Sequence, residues 1–298
     1  MGASKYIFMK AIRVISLVLL PWMSLRCDLS EPCQASFVPT ESGNAIAYQQ
    51  CGTGEEVLVF MHAGGLNKEL WNPQVAHFKA DYRVLTYDLR GHGASSFVSN
   101  DSPDVDDLLT VLTEKGWEQV TLVGCSLGAI LALDFALTYP DLVNRLVLVS
   151  PGLIGYQEND PLWISQMTDY VQALQQADTS AMITHLKRMN ALGTQEQLAN
   201  EVDEYVTGSL KAFISGPGLL RVPQLNHLQP LSALSQVKAQ SMVVYGAKDH
   251  GYIRNNAVHL ASKLPHATLH TLADCGHLPG LETPEAFNEL LSDFLTKN

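Results

Sequence analysis

The chain has 298 residues, enough to bury a large core as one large or two small domains. Hydrophobic residues make up 46% and charged residues 16%, a balance that argues against an intrinsically disordered chain. The formal net charge of -11 repels phosphate backbones, and no run of Lys or Arg offsets it, so we expect no nucleic-acid partner.

The first 35 residues differ from the rest of the chain. Basic residues precede a short apolar run, 14–20, which Pro21 ends. This arrangement is typical of an export signal, since a membrane span needs about 20 apolar residues. We expect residues 1–35 to be a signal cleaved before Ser36, and the protein to be exported to a periplasm or secreted. The alternative is an uncleaved N-terminal anchor or amphipathic helix, with membrane association through this segment only.

After residue 35, short apolar segments alternate with longer helical ones, which indicates an α/β domain with a mainly parallel sheet flanked by helices. A hairpin comes first, with strands at 37–38 and 46–48 around a turn at 43–44. The later strands are apolar without alternation, as expected for strands that helices cover on both faces. These predicted strands are 57–61, 83–87, 120–123, 146–149, 242–245 and 268–272.

Three helices are predicted between and after these strands. The first has Ser102 as its N-cap, followed by proline, and runs to about residue 115. The second follows Ser126 and continues to Leu137, and the last begins at Thr283 and runs to the end of the chain. Each lies where a right-handed crossover would place it.

The stretch 152–237 interrupts this alternation. It contains no convincing core strand but several helical segments, including 163–175 and 195–210. A connection of about eighty residues is far longer than an ordinary crossover. We therefore predict a helical cap at 152–237, inserted between two core segments, 36–151 and 238–298, over the carboxyl edge of the sheet.

A G-x-S-x-G motif, residues 124–128, stands between the strand 120–123 and the next helix. A serine hydroxyl is a poor nucleophile unless it is exposed, held against a base and placed beside an oxyanion site. A sharp strand-to-helix turn lifts the serine above the sheet, and the helix N-terminus offers free N–H groups and a positive dipole end. Ser126 is the candidate nucleophile. The alternative is that these small residues only form a turn.

The candidate base and acid follow the last two strands. His277 comes after the final strand and before the last helix, and Asp249 comes after the preceding strand. A carboxylate there can hydrogen-bond the imidazole and set its tautomer. Taken singly, Asp249 would be a turn cap and His277 a structural histidine. With Ser126 they follow the order nucleophile, acid, base.

Nearly the whole chain after the predicted signal resembles the α/β-hydrolase superfamily. Besides the three candidate catalytic residues, segment 60–65 resembles the family's His-Gly loop and segment 87–95 resembles its Asp-x-Arg-Gly-His-Gly-x-Ser segment. The resemblance implies an oxyanion hole formed by the backbone N–H groups of Gly64 and Leu127. Ala63 stands where the family usually has glycine.

These features predict a serine hydrolase that cleaves a small to medium carboxylic ester, lactone or thioester through an acyl-enzyme on Ser126. Carbon–carbon bond hydrolysis and cofactor-free peroxidation are alternatives within the same fold. A ligand-binding or receptor protein on a hydrolase scaffold and a membrane-attached interaction protein are alternatives from other classes. Aromatic and methionine side chains of the cap could line an apolar acyl pocket, although most of them are expected to form the cap's own core.

No cofactor is expected. The chain has no G-x-G-x-x-G after a first strand and no P-loop, so neither a dinucleotide nor ATP is implied. The histidines outside the triad show no arrangement typical of a metal site, so we predict no metal. The expected partner is a small-molecule ester substrate, and the oligomeric state is left open.

Five cysteines do not make a disulfide framework in a chain of this size. Cys27 and Cys33 are expected to leave with the signal, and the other three cannot all pair with one another. Cys125 and Cys275 each lie within two residues of a candidate catalytic residue, where a thiol more often packs as a small hydrophobic side chain. A disulfide between Cys125 and Cys275 is the alternative.

Overall fold

The computed structural model describes residues 33–98, 102–156, 160–193, 195, 197–219, 221–227 and 229–297. Apart from residues 33–35, the predicted signal lies outside this part. Within the ranges just given, no helix is both long and apolar enough to cross a membrane.

The strands of the described chain form one sheet. They are β1 Gln34–Pro39, β2 Ala45–Cys51, β3 Val57–Met61, β4 Arg83–Tyr87, β5 Val120–Cys125, β6 Val143–Val149, β7 Gln240–Gly246 and β8 Ala267–Leu272. Their order is β1-β2-β4-β3-β5-β6-β7-β8. β2 runs antiparallel to both of its neighbours, and all other pairs are parallel. The predicted α/β fold with a mainly parallel sheet is confirmed.

Helices cover both faces of this sheet. They are α1 Asn72–Phe78, α2 Val105–Lys115, α3 Leu127–Thr138, α4 Pro161–Gln175, α5 Thr179–Lys187, α6 Asn200–Ser215, α7 Gly251–Lys263, α8 Pro279–Glu282 and α9 Pro284–Thr296. Alternate residues of β3 belong to two hydrophobic clusters, with Val59 and Met61 in one and Leu58 and Phe60 in the other. The strand is apolar without alternation because both of its faces are buried.

The helix α2 begins two residues later than the sequence predicts. Asp104 occupies the N-cap position, and Ser102 lies outside the helix. Ser102 contacts Arg90 instead, whose guanidinium donates to its hydroxyl at 3.1 Å. The same guanidinium forms a bidentate pair with Asp107 at 2.7 and 2.8 Å. Ser102 therefore serves as an acceptor for the buried guanidinium of Arg90 and does not cap α2.

Three helices, α4 to α6, occupy the stretch between β6 and β7 that the sequence assigns to a cap. The predicted segment 163–175 lies within α4. The predicted segment 195–210 is wrong at its start, because α6 begins only at Asn200. Gln195 lies outside that helix and donates its side-chain amide to Glu282 in the core. A π-helical turn, Arg188–Leu192, joins α5 to this segment.

The first two strands carry a correction to the cysteine assignment. Cys33 forms a disulfide with Cys51, which continues the antiparallel register that pairs Gln34 with Gln50. This pairing is at odds with the expectation that Cys33 leaves with the signal, and cleavage before Ser36 would also remove the first two residues of β1. Cys125 and Cys275 are buried free thiols.

Candidate active site

Ser126 lies at the turn from β5 into α3, with φ 54° and ψ -110°. A residue with a side chain seldom adopts a positive φ, so this backbone is strained. Two close backbone contacts, at Gly124 and at Gly128, stabilise this conformation of Ser126. A side chain at Gly124 would collide with the backbone of Gly128, and one at Gly128 would collide with the carbonyl oxygen of Met61 in β3. The two glycines of the motif let α3 pack directly on the sheet and leave Ser126 half-buried at its edge.

The two predicted oxyanion donors lie side by side. A side chain at Gly64 would touch Leu127 at 3.5 Å. Among the hydrogen bonds of the described chain, none uses the backbone N–H of Gly64 or Leu127. Ala63 is fully buried and does not have a positive φ, whereas Gly65 does, at 74°. The loop therefore needs glycine at position 65 and accommodates the methyl group at position 63. The oxyanion role itself stays a prediction.

Asp249 and His277 are brought together from the ends of β7 and β8. His277 Nδ1 lies 2.9 Å from Asp249 Oδ2 and 3.1 Å from Oδ1, and both side chains are almost completely buried. The backbone N–H of His250 donates to Asp249 Oδ1 at 2.7 Å. The carboxylate thus has two fixed donors, and the imidazole is oriented with Nδ1 on the acid and Nε2 left for other chemistry.

The pKa of His277 is raised above its ordinary value of 6.5. Burial lowers it by penalising the imidazolium, but the charge of Asp249, its hydrogen bond to the ring and the charge of Glu282 together outweigh burial. A histidine whose protonated form is stabilised in this way is suited to accept a proton from a nucleophile.

Cys125, the residue directly before Ser126, contacts the backbone of His277. Cys125 Sγ donates to the backbone oxygen of His277 at 3.7 Å. No hydrogen bond joins Ser126 directly to His277 among the described residues, and in enzymes without substrate such contacts are often long. Burial raises the pKa of the Cys125 thiol well above its usual range and that of Cys275 to about 11. Both thiols are therefore protonated packing groups at neutral pH.

Glu282 is a polar residue of this site that the sequence analysis did not identify. Its carboxylate accepts the backbone N–H of Gly276 at 2.9 Å and that of Leu278 at 2.8 Å, one on each side of His277. Gln195 of the predicted cap donates a third hydrogen bond at 2.7 Å. Nothing local in the sequence distinguishes Glu282 from a surface acid, because its partners depend on α8 folding back over the loop.

A cavity of about 300 Å³ opens at Ser126. Its lining is Gly64, Ser126, Leu127, Ile130, Gly152, Leu153, Ile154, Gly155, Tyr156, Trp163, Asn190, Tyr252 and Ile253. None of these described residues carries a charge. The rings of Trp163 and Tyr252 stack with centroids 5.0 Å apart, joining α4 to α7 at the cavity wall. A larger cavity of about 590 Å³ lies beside α2 and includes none of the candidate catalytic residues.

Comparison with known proteins agrees with this architecture. A relative from Paraburkholderia phymatum, a 2-hydroxy-6-oxononadienedioate/2-hydroxy-6-oxononatrienedioate hydrolase, is 28% identical over 271 residues, covering 84% of this chain and 90% of its own. An esterase from Rhodococcus sp. ECU1013 superposes with a TM-score of 0.73 at 22% identity, covering 88% of this chain and 98% of the esterase. A meta-cleavage product hydrolase from Pseudomonas fluorescens IP01 gives 0.68 at 18% identity, with coverages of 87% and 97%.

The family model for the alpha/beta hydrolase fold matches residues 56–284. This span includes β3 to β8, the motif around Ser126, the segment between β6 and β7, and both Asp249 and His277. The chain therefore belongs to the α/β-hydrolase family.

Proposed function

We propose that the protein is a serine hydrolase that cleaves small to medium carboxylic esters, including lactones and thioesters, through an acyl-enzyme on Ser126. One arrangement carries the proposal. A buried Asp249–His277 pair contacts Cys125, the residue directly before a strained, half-buried Ser126 that lines a cavity. A strained serine next to an oriented imidazole is the arrangement that nucleophilic catalysis requires.

In the first half of the reaction, Ser126 Oγ attacks the carbonyl carbon and His277 Nε2 takes the hydroxyl proton. The carbonyl oxygen becomes an oxyanion, which the N–H groups of Gly64 and Leu127 stabilise. Collapse of this intermediate breaks the bond to the alcohol, which leaves with the proton from His277. The carboxylate of Asp249 stabilises the imidazolium while it exists.

In the second half, water enters as the nucleophile. His277 Nε2 takes one proton from it as its oxygen attacks the acyl carbon. The second tetrahedral intermediate collapses to release the carboxylic acid, and His277 returns the proton to Ser126 Oγ. The enzyme ends as it began, so the cycle needs no cofactor.

The cavity lining favours substrates whose acyl group is neutral and apolar. All described lining residues are uncharged, and the undescribed positions after residue 32 contain no Lys or Arg. A carboxylate that enters this space would lose its hydrating water without gaining a cation as partner. Leu153, Ile154 and Trp163 instead offer apolar surface to an alkyl or aryl group.

Carbon–carbon bond hydrolysis is the second candidate. It is favoured by the relative from Paraburkholderia phymatum, whose name specifies a dioate substrate. Hydrolysis of a carbon–carbon bond next to a carbonyl can use the same nucleophile, acid and base. A dioate, however, carries two carboxylates, and the described lining has no cation to pair with either. We therefore rank ester cleavage first.

The test is hydrolysis of p-nitrophenyl esters of graded acyl length by the full chain and by Ser126→Ala. We expect the parent to turn over and the variant to lose on the order of 10⁴-fold or more in kcat. Equal residual rates in parent and variant would contradict the proposal. Comparing p-nitrophenyl hexanoate with mono-p-nitrophenyl adipate then isolates one terminal charge, and the neutral ester should give the higher kcat/KM. Cleavage of 2-hydroxy-6-oxononadienedioate with no ester turnover would favour the second candidate.

We also propose that the protein is exported to a periplasm or secreted. Disulfides persist in oxidising compartments, and the Cys33–Cys51 bond directly follows the basic and apolar N-terminal segment. Cell fractionation followed by N-terminal sequencing tests this. We expect an exported chain that still contains Cys33, either cleaved before it or anchored uncleaved. A purely cytoplasmic chain would contradict export. An exported chain that begins at Ser36 would contradict the retention of Cys33 and of its bond to Cys51.

A further inference from the structure

The loop that carries His277 is held from both sides by one carboxylate. Glu282 accepts the N–H of Gly276 on one oxygen and the N–H of Leu278 on the other. Loop residues 275–280 are all buried, so these two donors have no access to bulk water. Hydrogen bonds from N–H groups to an ionised acceptor are roughly twice as strong as neutral ones. The backbone position of His277 thus depends on Glu282.

The same carboxylate also connects this loop to the segment that precedes α6. Gln195 Nε2 donates to Glu282 Oε2, the oxygen that Gly276 uses. A side chain at Gly276 would collide with the Gln195 amide and approach the backbone oxygens of Ala191 and Leu192. The loop that carries His277 therefore packs against Ala191, Leu192 and Gln195, and its shape depends on where these residues lie.

This segment also contacts the loops that carry the acid and the predicted oxyanion donor. Asn190 Nδ2 donates to the backbone oxygen of Gly64 at 3.1 Å. His250 Nε2 lies 3.0 Å from the backbone oxygen of Arg188, while its own N–H is bonded to Asp249. Arg188, Asn190 and Gln195 of the predicted cap thus contact the loops that carry the acid, the predicted oxyanion donor and the base. Arg188 and Asn190 lie in the π-helical turn, a rare conformation that is often found at functional sites.

We propose that Glu282 is a positioning residue for His277, and that its bond to Gln195 ties the base to the inserted helical segment. Glu282 acts through the backbone of Gly276 and Leu278 and does not touch the reacting atoms. The proposal rests on the proposed function only in taking His277 as the base. Its geometric part can be tested without turnover.

The charge of Glu282 provides the readout that distinguishes positioning from simple structural support. Burial lowers the pKa of His277, and Asp249 and Glu282 both raise it. Among the described residues, the other titratable groups at the loop include Cys125 and Cys275, both protonated at neutral pH. Lys248 donates to the backbone oxygen of Asp274 and forms an exposed ion pair with its carboxylate at 4.0 Å. Loss of the Glu282 charge therefore leaves Asp249 as the main support of the imidazolium.

The test compares four variants of the full chain with p-nitrophenyl butyrate as the probe. Glu282→Gln keeps the size but has only one accepting oxygen and no charge. We expect kcat to fall roughly 10- to 100-fold through misplacement of the base, with a smaller change in KM. The acidic limb of kcat/KM should move to lower pH. Glu282→Asp keeps the charge, so it should lower kcat while leaving that limb near its original position.

Gln195→Leu removes only the donor from the inserted segment, so kcat should fall while the limb stays. Glu289→Gln makes the same chemical change as Glu282→Gln on the exposed face of α9 and should match the parent in every respect. A Glu282→Gln profile that coincides with Glu289→Gln would overturn the positioning role. A Gln195→Leu variant with the parent's kcat would overturn the tie to the inserted segment.

The pKa of the His277 imidazole can also be followed by NMR, assigned with His277→Gln. We expect a lower pKa in Glu282→Gln than in the parent. If no ester is hydrolysed but this shift occurs, the proposed ester function fails and the coupling of Glu282 to His277 survives. An unchanged imidazole pKa in a folded Glu282→Gln protein would reject the coupling. If that variant does not fold, the kinetics of Glu282→Asp and Gln195→Leu decide.

Discussion

At His277, opposing electrostatic effects set the pKa of the imidazole. Burial disfavours the imidazolium, while the carboxylates of Asp249 and Glu282 favour it, and the net effect is a raised pKa. The backbone N–H of His250 donates to Asp249 Oδ1 and so fixes the orientation of this carboxylate. The side chain is thus basic enough to take a proton and is held in one tautomer by its neighbour.

This balance predicts the pH dependence of the reaction. A general base acts only when neutral, so kcat/KM should fall as the pH drops through the pKa of His277. Because that pKa is raised, the fall should occur above the ordinary value of 6.5. Asp249→Asn removes the largest force that raises the pKa, so the limb should move to lower pH and kcat should drop roughly 10⁴-fold. Initial rates from pH 5 to 9 check both. A parent limb below 6.5 would contradict the raised pKa.

At the level of elements, the junction of β5 with α3 determines where Ser126 lies. The helix approaches β3 so closely that Gly128 lies against the carbonyl of Met61. Leu127, whose N–H is a predicted oxyanion donor, sits between the serine and this contact. Any side chain at position 128 would push the start of α3 away from the sheet, and the nucleophile and the donor would move with it.

Gly128→Ala should therefore lower both stability and activity. The added methyl group would overlap backbone atoms of Met61 and His62, which cannot rotate away. Overpacking of this kind typically costs about 1–3 kcal/mol. Gly208→Ala is the matched control, because nothing lies within 4 Å of an added methyl group at that position in α6. It should raise stability by roughly 0.5–1 kcal/mol. Urea unfolding and ester assays measure both changes, and equal effects of the two substitutions would contradict the packing argument.

At the scale of the whole molecule, the edge hairpin is joined covalently as well as by hydrogen bonds. β1 is largely exposed and lies at one end of the sheet, where it has a single neighbour. The disulfide closes a loop with a sequence separation of 18 and links the start of β1 to the end of β2. The bond therefore restricts the unfolded chain and retains an edge strand that buries little surface.

Loss of this bond should be measurable as a fall in stability of about 3 kcal/mol, the value expected for a loop of roughly this length. The double variant Cys33→Ser, Cys51→Ser should show it in denaturant unfolding, and reductant should lower the parent to the same midpoint. Peptide mapping without reductant should recover Cys33 linked to Cys51. Hydrolysis should survive, because the bond is remote from Ser126 in the sheet order. A link between Cys125 and Cys275 in that map would contradict the structure.

The sequence predicted the elements whose signals are local. The strands predicted at 57–61 and 83–87 begin and end at the same residues in the structure. Helices cover both faces of these strands, so nearly every residue in them is buried and the local signal is strong. The fold class also followed from local patterns of apolar segments and glycine turns. The motif around Ser126 was also predictable from local sequence, since Gly124 and Gly128 are needed where a strand turns directly into a closely packed helix.

What only the tertiary structure decided depends on contacts between distant parts of the chain. Ser102 lost its capping role to Arg90, the start of α6 moved beyond Gln195, and Cys33 paired with Cys51. Glu282 became part of the site because α8 folds back onto the base loop. In each case a buried or half-buried polar or sulfur-bearing group has a partner that no local pattern specifies. The sequence by itself determined the fold and the three candidate catalytic residues. The tertiary packing determined which groups hold these residues in place. The physical reason is that an unpaired buried polar group is costly, so it bonds to whichever partner the folded chain places beside it.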